Sequence, residues 1–210
     1  MKINMKTKCY FIAVILIYSM TSCKQENAFK DFKFSEKPAK LTCNSLNSKL
    51  YNEALYSFEE DITNFYSKDK RSLLSAYSQF IRLTNYNRVK YRDIVSEHTL
   101  KVFEALKNEP ELWDANNSNS HLNYNGPLMD CISNNISDKD LKTTLKALLS
   151  TNSMSPRLFG PPLLSNYGLT MGDKYLASYV AFDLFYARLF DVDFSIPKQE
   201  IPKVDFNKTQ

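Results

Sequence analysis

The chain of 210 residues has little glycine, only 4 residues, and this scarcity argues against an all-β protein full of tight glycine turns. It also lacks any apolar run of the ~20 residues that a membrane-spanning helix needs. Hydrophobic residues make up 43% of the chain and charged residues 24%, as in an average globular protein. The composition therefore excludes wholesale disorder and a multi-span membrane protein, and it predicts a soluble globular domain.

The short motifs of common catalytic sites are missing as well. The sequence has no G-x-G-x-x-G, G-x-S-x-G, H-E-x-x-H or C-x-x-C pattern. Its two histidines, His98 and His121, lie outside any such signature, and Glu97 directly precedes His98 where a di-iron helical site needs Glu-x-x-His. The sequence therefore predicts no metal ion and no cofactor, and it favours structural roles for both histidines.

The first 22 residues have the pattern of an export signal. Lys2, Lys6 and Lys8 give a positive start, the nine residues 10–18 are apolar, and Met20-Thr21-Ser22-Cys23 follows. This last motif resembles the lipobox of bacterial lipoproteins, in which an apolar residue and two small residues precede the lipidated cysteine. The resemblance implies that Cys23 becomes the acylated N-terminus.

Acylation of Cys23 would make the lipid bilayer the first partner, because each buried CH₂ contributes about 0.8 kcal/mol to anchoring. The resemblance then implies a domain held outside the cytoplasm, on the bacterial cell membrane or the outer membrane. The alternative is an ordinary secreted protein that is cleaved near Ser22 and leaves Cys23 free.

Removal of the signal changes the charge of the chain. Residues 1–22 contain three lysines and no acidic residue, so 24 basic and 23 acidic residues remain, with a net charge of +1. A nearly neutral exported chain gives no electrostatic basis for nucleic-acid binding.

Two further cysteines remain in the mature chain, Cys43 and Cys131. An exported compartment permits a disulfide between them, and the loop of 89 residues that it closes would stabilise the fold by about 4–5 kcal/mol in the chain-entropy model. Two separate buried thiols are the alternative, and the sequence leaves this choice open.

Four regions are predicted along the chain. Residues 1–22 form the signal, residues 23–42 are a polar, lysine-rich tether, residues 43–190 are a helical domain, and residues 191–210 form an extended tail with Pro197 and Pro202.

About six helices are expected in the domain, because apolar residues recur there at spacings of three and four. The fold class is therefore all-α, as a single irregular bundle. The predicted helices begin near Ser45, Ser67 or Asp69, Val89, Pro127, Ser137 and Asp173. An acidic run at residues 59–61 is interpreted as a solvated helix face. The helix pairs of residues 70–107 and the Gly172-Asp173 entry to the last helix resemble HEAT-like domains of bacterial lipoproteins.

The segment 152–172 holds three of the four glycines and three of the eight prolines, and it is rich in large apolar residues. It is predicted to be a long loop, which is uncommon without a purpose. It either completes the core or forms a lip for a partner protein. The residues proposed for such a lip are Arg157, Leu158, Phe159, Leu163, Leu164 and Tyr167.

Asp183 is the most unusual residue of the last and most apolar helix, because a carboxylate buried there must pair, hydrogen-bond or protonate. Its predicted role is structural. The candidate partners are Arg82, Arg92 and Arg157, which are favoured, and the hydroxyls of nearby tyrosines, with Tyr179 and Tyr186 on the same helix face. The favoured function is thus a non-catalytic lipoprotein that binds an envelope protein, as an assembly factor, inhibitor or immunity protein does. The alternative is an envelope hydrolase that pairs Asp183 with Glu60, Asp61 or Glu97.

Overall fold

The computed structural model describes residues 29–43 and 46–195. In these ranges the chain forms eight α-helices and no β-strand, so the predicted all-α class is confirmed. The helices are α1 (Ser48–Tyr66), α2 (Leu73–Asn85), α3 (Tyr91–Ile94), α4 (Glu97–Leu106), α5 (Pro127–Asn135), α6 (Lys139–Ser150), α7 (Pro156–Ser165) and α8 (Lys174–Tyr179). The signal, Cys23 and the tail from residue 196 onward lie outside the described residues.

The last helical stretch forms the centre of the core, as its apolar sequence predicts. After α8 the chain continues through a π-helical turn, Val180–Phe185, and a 3-10 turn, Tyr186–Asp191. The π turn packs against α1 and α2, and its buried Phe185 ring lies 5.1 Å from that of Phe58 on α1. None of the helices that the structure describes is long and apolar enough to cross a bilayer.

Short polar side chains start most of the longer helices by accepting a backbone N–H of the first turn. Asp173 caps α8 and Pro127 opens α5, both as predicted. Elsewhere the caps lie a few residues beyond the predicted ones, at Ser72 for α2 and at Asp138 for α6.

The expected third helix is broken into α3 and α4 at Val95 and Ser96. Ser96 donates its backbone N–H to Asp61 of α1 at 2.9 Å, and its hydroxyl caps α4. The acidic run of α1 is therefore not a solvated face, because Asp61 and Glu59 are both buried. Glu59 accepts the Tyr77 hydroxyl at 3.0 Å and pairs with Lys40. Periodicity on α1 alone could not reveal partners that come from other parts of the chain.

The described part of the expected tether, residues 29–42, is docked on α1 instead of free; together with Cys43 we call it the N-terminal strap (residues 29–43). Its Leu41 side chain is 1% exposed. The carboxylate of Glu53 accepts the backbone N–H groups of Lys33 and Phe34 at 2.7 and 3.0 Å. The side-chain oxygen of Asn52 accepts the N–H groups of residues 40 and 41. Buried polar groups of α1 thus replace water for the strap's backbone, which a flexible tether would leave solvated.

The strap ends at Cys43, which forms a disulfide with Cys131 of α5. Their Cα atoms are 5.9 Å apart. Of the two alternatives left open by the sequence, the structure therefore contains the disulfide, and it ties the strap to the far half of the chain.

The predicted loop 152–172 is largely helical, since it forms α7 and a 3-10 turn at Tyr167–Met171. Ser155 caps α7 and Pro156 occupies its first turn, a position that proline tolerates. Pro161 and Pro162 lie inside α7. Because proline usually breaks a helix interior, composition alone favoured the loop interpretation.

Candidate functional site

The residues proposed for a partner-binding lip separate into two groups in the structure. Phe159 and Leu163 are 0% exposed, and the Phe159 ring lies 5.0 Å from that of Tyr179 in the core. These two residues are therefore part of the core and not of a lip, because they face inward from α7. Leu164 and Tyr167 are half-buried.

Arg157 and Leu158 remain exposed at the start of α7, and the Leu158 side chain is 52% exposed. Arg157 lines a cleft of about 470 Å³ between the end of α2, the start of α7 and the π turn. We call it the Arg157 cleft. Its polar lining includes Asn85, Asn87, Asn119 and Arg188, and no Asp or Glu lines it within the described chain.

The close approach of α7 to α2 at this cleft depends on Gly160. A Cβ atom at Gly160 would lie 2.6 Å from the side-chain oxygen of Asn85, which is closer than Cβ contacts normally come. The missing side chain lets Asn85 lie against α7, so Gly160 sets the width of the cleft at that point.

Several polar groups of the cleft have no partner among the described residues. The side chains of Arg157, Asn85 and Asn87 form no hydrogen bond or ion pair with any of them. Arg188 donates to the backbone oxygen of Asn119 at 3.1 Å and forms no salt bridge. The cleft thus presents amide and guanidinium groups to solvent.

The prolines of α7 remove two backbone N–H donors next to Arg157. Pro161 and Pro162 carry no N–H, so the carbonyl oxygens of Arg157 and Leu158 cannot accept the usual bond from four residues on. The exposed first turn of α7 therefore offers both donors and acceptors for hydrogen bonding.

Asp183 lies in a closed polar cluster, and its predicted ion pair with an arginine is not found among the described residues. Its side chain is 0% exposed. Its carboxylate accepts the Ser120 hydroxyl at 2.6 Å and the Tyr124 hydroxyl at 3.1 Å. Both partners come from the polar loop 111–126, whose ends pair through a bridge between Trp113 and Leu122. Hydroxyl groups, the other kind of partner considered, therefore take the place of the favoured guanidinium, because this loop covers the carboxylate.

Burial raises the pKa of Asp183, and the hydrogen bonds from Ser120 and the charge of Arg188 oppose that rise only in part. Burial also raises the pKa of Tyr124, and the nearby Asp183 carboxylate adds to the shift. Among the described residues, no second carboxylate affects the pKa of Asp183, so the expected pairing of Asp183 with Glu60, Asp61 or Glu97 is not found there.

The two histidines have structural contacts, as their sequence context favours. His98 pairs with the buried Glu53 at 2.7 Å and so lies behind the N-terminal strap. His121 contacts Asp191 at 3.0 Å near the Phe190 ring. Within residues 29–43 and 46–195, no group of three or more His, Cys, Asp or Glu is placed to hold a metal ion.

Sequence reasoning identified Arg157 but missed the other residues of the cleft. Asn85, Asn87, Asn119 and Arg188 come from three separate parts of the chain. One signal was available, since glycine inside an apolar helical segment often marks a close approach, as Gly160 does here.

Comparisons of the chain with protein-family models, with curated proteins and with solved structures find no match. The functional argument therefore depends on the geometry of the chain itself.

Proposed function

We propose that this chain is a bacterial envelope lipoprotein, anchored through acylated Cys23, that binds a partner protein without catalysis. The observation that carries the binding role is the Arg157 cleft, an open site in which the side chains of Arg157, Asn85 and Asn87 have no partner among the described residues. The partner would be an envelope protein, and the role would be that of an assembly factor, an inhibitor or an immunity protein. We also propose that the helix pairs keep the HEAT-like arrangement of such lipoproteins.

The N-terminal strap supports the anchored arrangement. Because the chain is docked from Phe29 onward, only five residues, 24–28, lie between the docked part and Cys23. The six Cα-to-Cα steps from Cys23 to Phe29 span at most about 20 Å. A lipid on Cys23 would therefore hold the domain close to the membrane.

The hydrolase alternative has less support from the geometry. Asp183 is sealed from solvent and hydrogen-bonded to Ser120 and Tyr124. Asp61 of α1, one of the proposed partners, instead accepts the backbone N–H of Ser96. A catalytic acid has to reach its substrate, so the binding role is the better supported one.

Anchoring is tested with Cys23→Ser in cells supplied with an alkyne-labelled fatty acid. The wild type should take up the label and fractionate with membranes, whereas the variant should carry no label. Ser22→Ala serves as a control, since it keeps small residues before the cysteine. Equal labelling of wild type and Cys23→Ser would overturn the lipoprotein assignment.

Binding is tested by placing a photo-crosslinking residue at Leu158, with Lys139 on α6 as the control position. Both side chains are exposed, but only Leu158 adjoins Arg157. We expect one discrete crosslinked protein from position 158 that is absent from position 139 and is lost with Arg157→Glu. Identical products from both positions would contradict a binding site at the cleft.

A further inference from the structure

We propose that the Arg157 cleft binds the carboxylate of an acidic peptide segment, which the proposed partner protein would supply. This inference rests on the proposed function and gives the chemical class of what the cleft takes. Three features of the described residues carry it: the charge of the cleft, the geometry of its donors, and the nearby backbone carbonyls that lack their usual helical donor.

The charge of the cleft is positive and uncompensated at its mouth. Two guanidinium groups, of Arg157 and Arg188, line it, and none of the described residues that line it carries a carboxylate. The charge of Arg188 interacts with the buried Asp183, whereas Arg157 has no acidic partner among the described residues. Arg157 is therefore the cation that is more available to a ligand. An anionic ligand would therefore gain attraction there without displacing a protein carboxylate.

The donors of the cleft match a carboxylate in geometry. A guanidinium offers a planar fork of N–H groups that can bind both oxygens of a carboxylate. The backbone N–H of Arg157 lies in the first turn of α7, which has ten residues, and has no acceptor within the helix. The Asn85 and Asn87 side chains add neutral amide donors.

The surroundings of Arg157 favour a peptide over inorganic phosphate. The carbonyl oxygens of Arg157 and Leu158 lack their helical partners because of Pro161 and Pro162. A peptide backbone supplies N–H groups for such acceptors, and a peptide side chain can cover the exposed Leu158. Phosphate, which has no apolar group, could use only the cationic part of the site.

The test uses the full chain purified from membranes in detergent and three probes: a blocked tetraglutamate peptide, a blocked tetraglutamine peptide and inorganic phosphate. Binding is followed by NMR shifts of the Arg157 and Gly160 amides. We expect the tetraglutamate peptide to shift both amides saturably and to bind at least tenfold more tightly than either other probe. Equal binding of tetraglutamine would overturn the carboxylate assignment, and equal binding of phosphate would overturn the peptide assignment.

Charge-matched variants test where the peptide binds. Arg157→Gln should weaken tetraglutamate binding at least tenfold. Arg71→Gln removes the same charge from an exposed position at the opposite end of α2 and should change the affinity less than twofold. Equal affinity of wild type and Arg157→Gln would overturn the inference. Crosslinking from Leu158 would then still report on the proposed function, because it does not depend on a carboxylate.

Discussion

Asp183 and Arg157 are both ionisable residues in apolar stretches of the sequence, but their surroundings in the structure are opposite. Asp183 is fully buried and accepts hydrogen bonds from Ser120 and Tyr124. Arg157 is exposed and has no partner among the described residues. Burying a polar group is costly unless it is paired, so the first charge is structural. The second remains available to a ligand.

The same contrast separates the surroundings of the N-terminal strap from those of the Arg157 cleft. Around the N-terminal strap, Glu53 and Asn52 satisfy backbone N–H groups of the strap, and His98 pairs with Glu53. Around the Arg157 cleft, Asn85 and Asn87 are left unpaired. Paired polar groups thus hold the fold together at the strap, and unpaired ones lie in the cleft for which we propose binding.

The largest expected effect concerns the disulfide at the end of the N-terminal strap. Replacing both Cys43 and Cys131 with alanine should lower the free energy of unfolding by about 4–5 kcal/mol, because the unfolded chain regains the freedom of a long loop. Urea unfolding of the oxidised protein measures it. A reduced wild-type sample is the control and should match the variant. A change under 1 kcal/mol in both would show that the strap is held without the disulfide.

Phe159 and Leu158 are neighbours on α7, and replacing each with alanine compares a buried side chain with an exposed one. Phe159→Ala should cost about 3–5 kcal/mol, since it opens a cavity in the core. Leu158→Ala should change the free energy of unfolding by no more than about 0.5 kcal/mol, because its side chain is exposed. Chemical denaturation of both variants checks this. Similar losses would mean that both residues are buried to the same extent.

Asp183 gives a pH-dependent prediction. Burial raises its pKa above the ordinary 3.8, so the folded state binds this proton more tightly than the unfolded chain does. The contribution of this protonated group to the stability of the folded state is complete below pH 3.8 and is lost as the pH rises through the raised pKa of Asp183. The loss can reach about 1.4 kcal/mol per pH unit.

Asp183→Asn stays uncharged and should lack this contribution. The difference in unfolding free energy between wild type and variant should therefore shift towards the variant as pH rises from 4 to 7 (approximate range). Asp61, whose pKa burial also raises, is present in both proteins and cancels. A difference that is constant over this range would contradict the buried, hydroxyl-bound state of Asp183.

Gly160→Ala should have the smallest effect on stability. The new Cβ would displace the Asn85 side chain, while alanine favours the helix by about 1 kcal/mol, so the melting temperature should change little. The side-chain amide signal of Asn85 should shift in NMR spectra, whereas Gly168→Ala, which meets nothing within 4 Å, should leave it unchanged. An unmoved Asn85 signal in Gly160→Ala would contradict the described cleft.

The sequence predicts the parts of this fold that depend on local pattern. Pro127 and Asp173 start α5 and α8 as expected, and the apolar stretch after Asp173 forms the core. Local pattern could not predict partners that are distant in sequence. Ser120 and Tyr124 lie about 60 residues from Asp183, and the strap's contacts with Glu53 needed the fold itself.

The candidate site follows the same rule. The sequence indicates Arg157 and Leu158 because charge and apolar area are adjacent there. For Phe159 and Leu163 it leaves core and lip both open, because the prolines of α7 hide its helical period, and the structure shows the core alternative. Asn85 and Arg188 become neighbours of Arg157 only when α2, α7 and the 3-10 turn after the π turn are packed together.

The central claim is that the open cleft, and not the sealed Asp183 cluster, is where this protein binds its partner. The most direct measurement is competition, in which membranes carrying the photo-crosslinker at Leu158 are irradiated with tetraglutamate peptide present. The account predicts that the peptide removes the crosslinked product at concentrations that saturate the cleft, while tetraglutamine leaves it unchanged. A crosslink that persists at saturating tetraglutamate would contradict it.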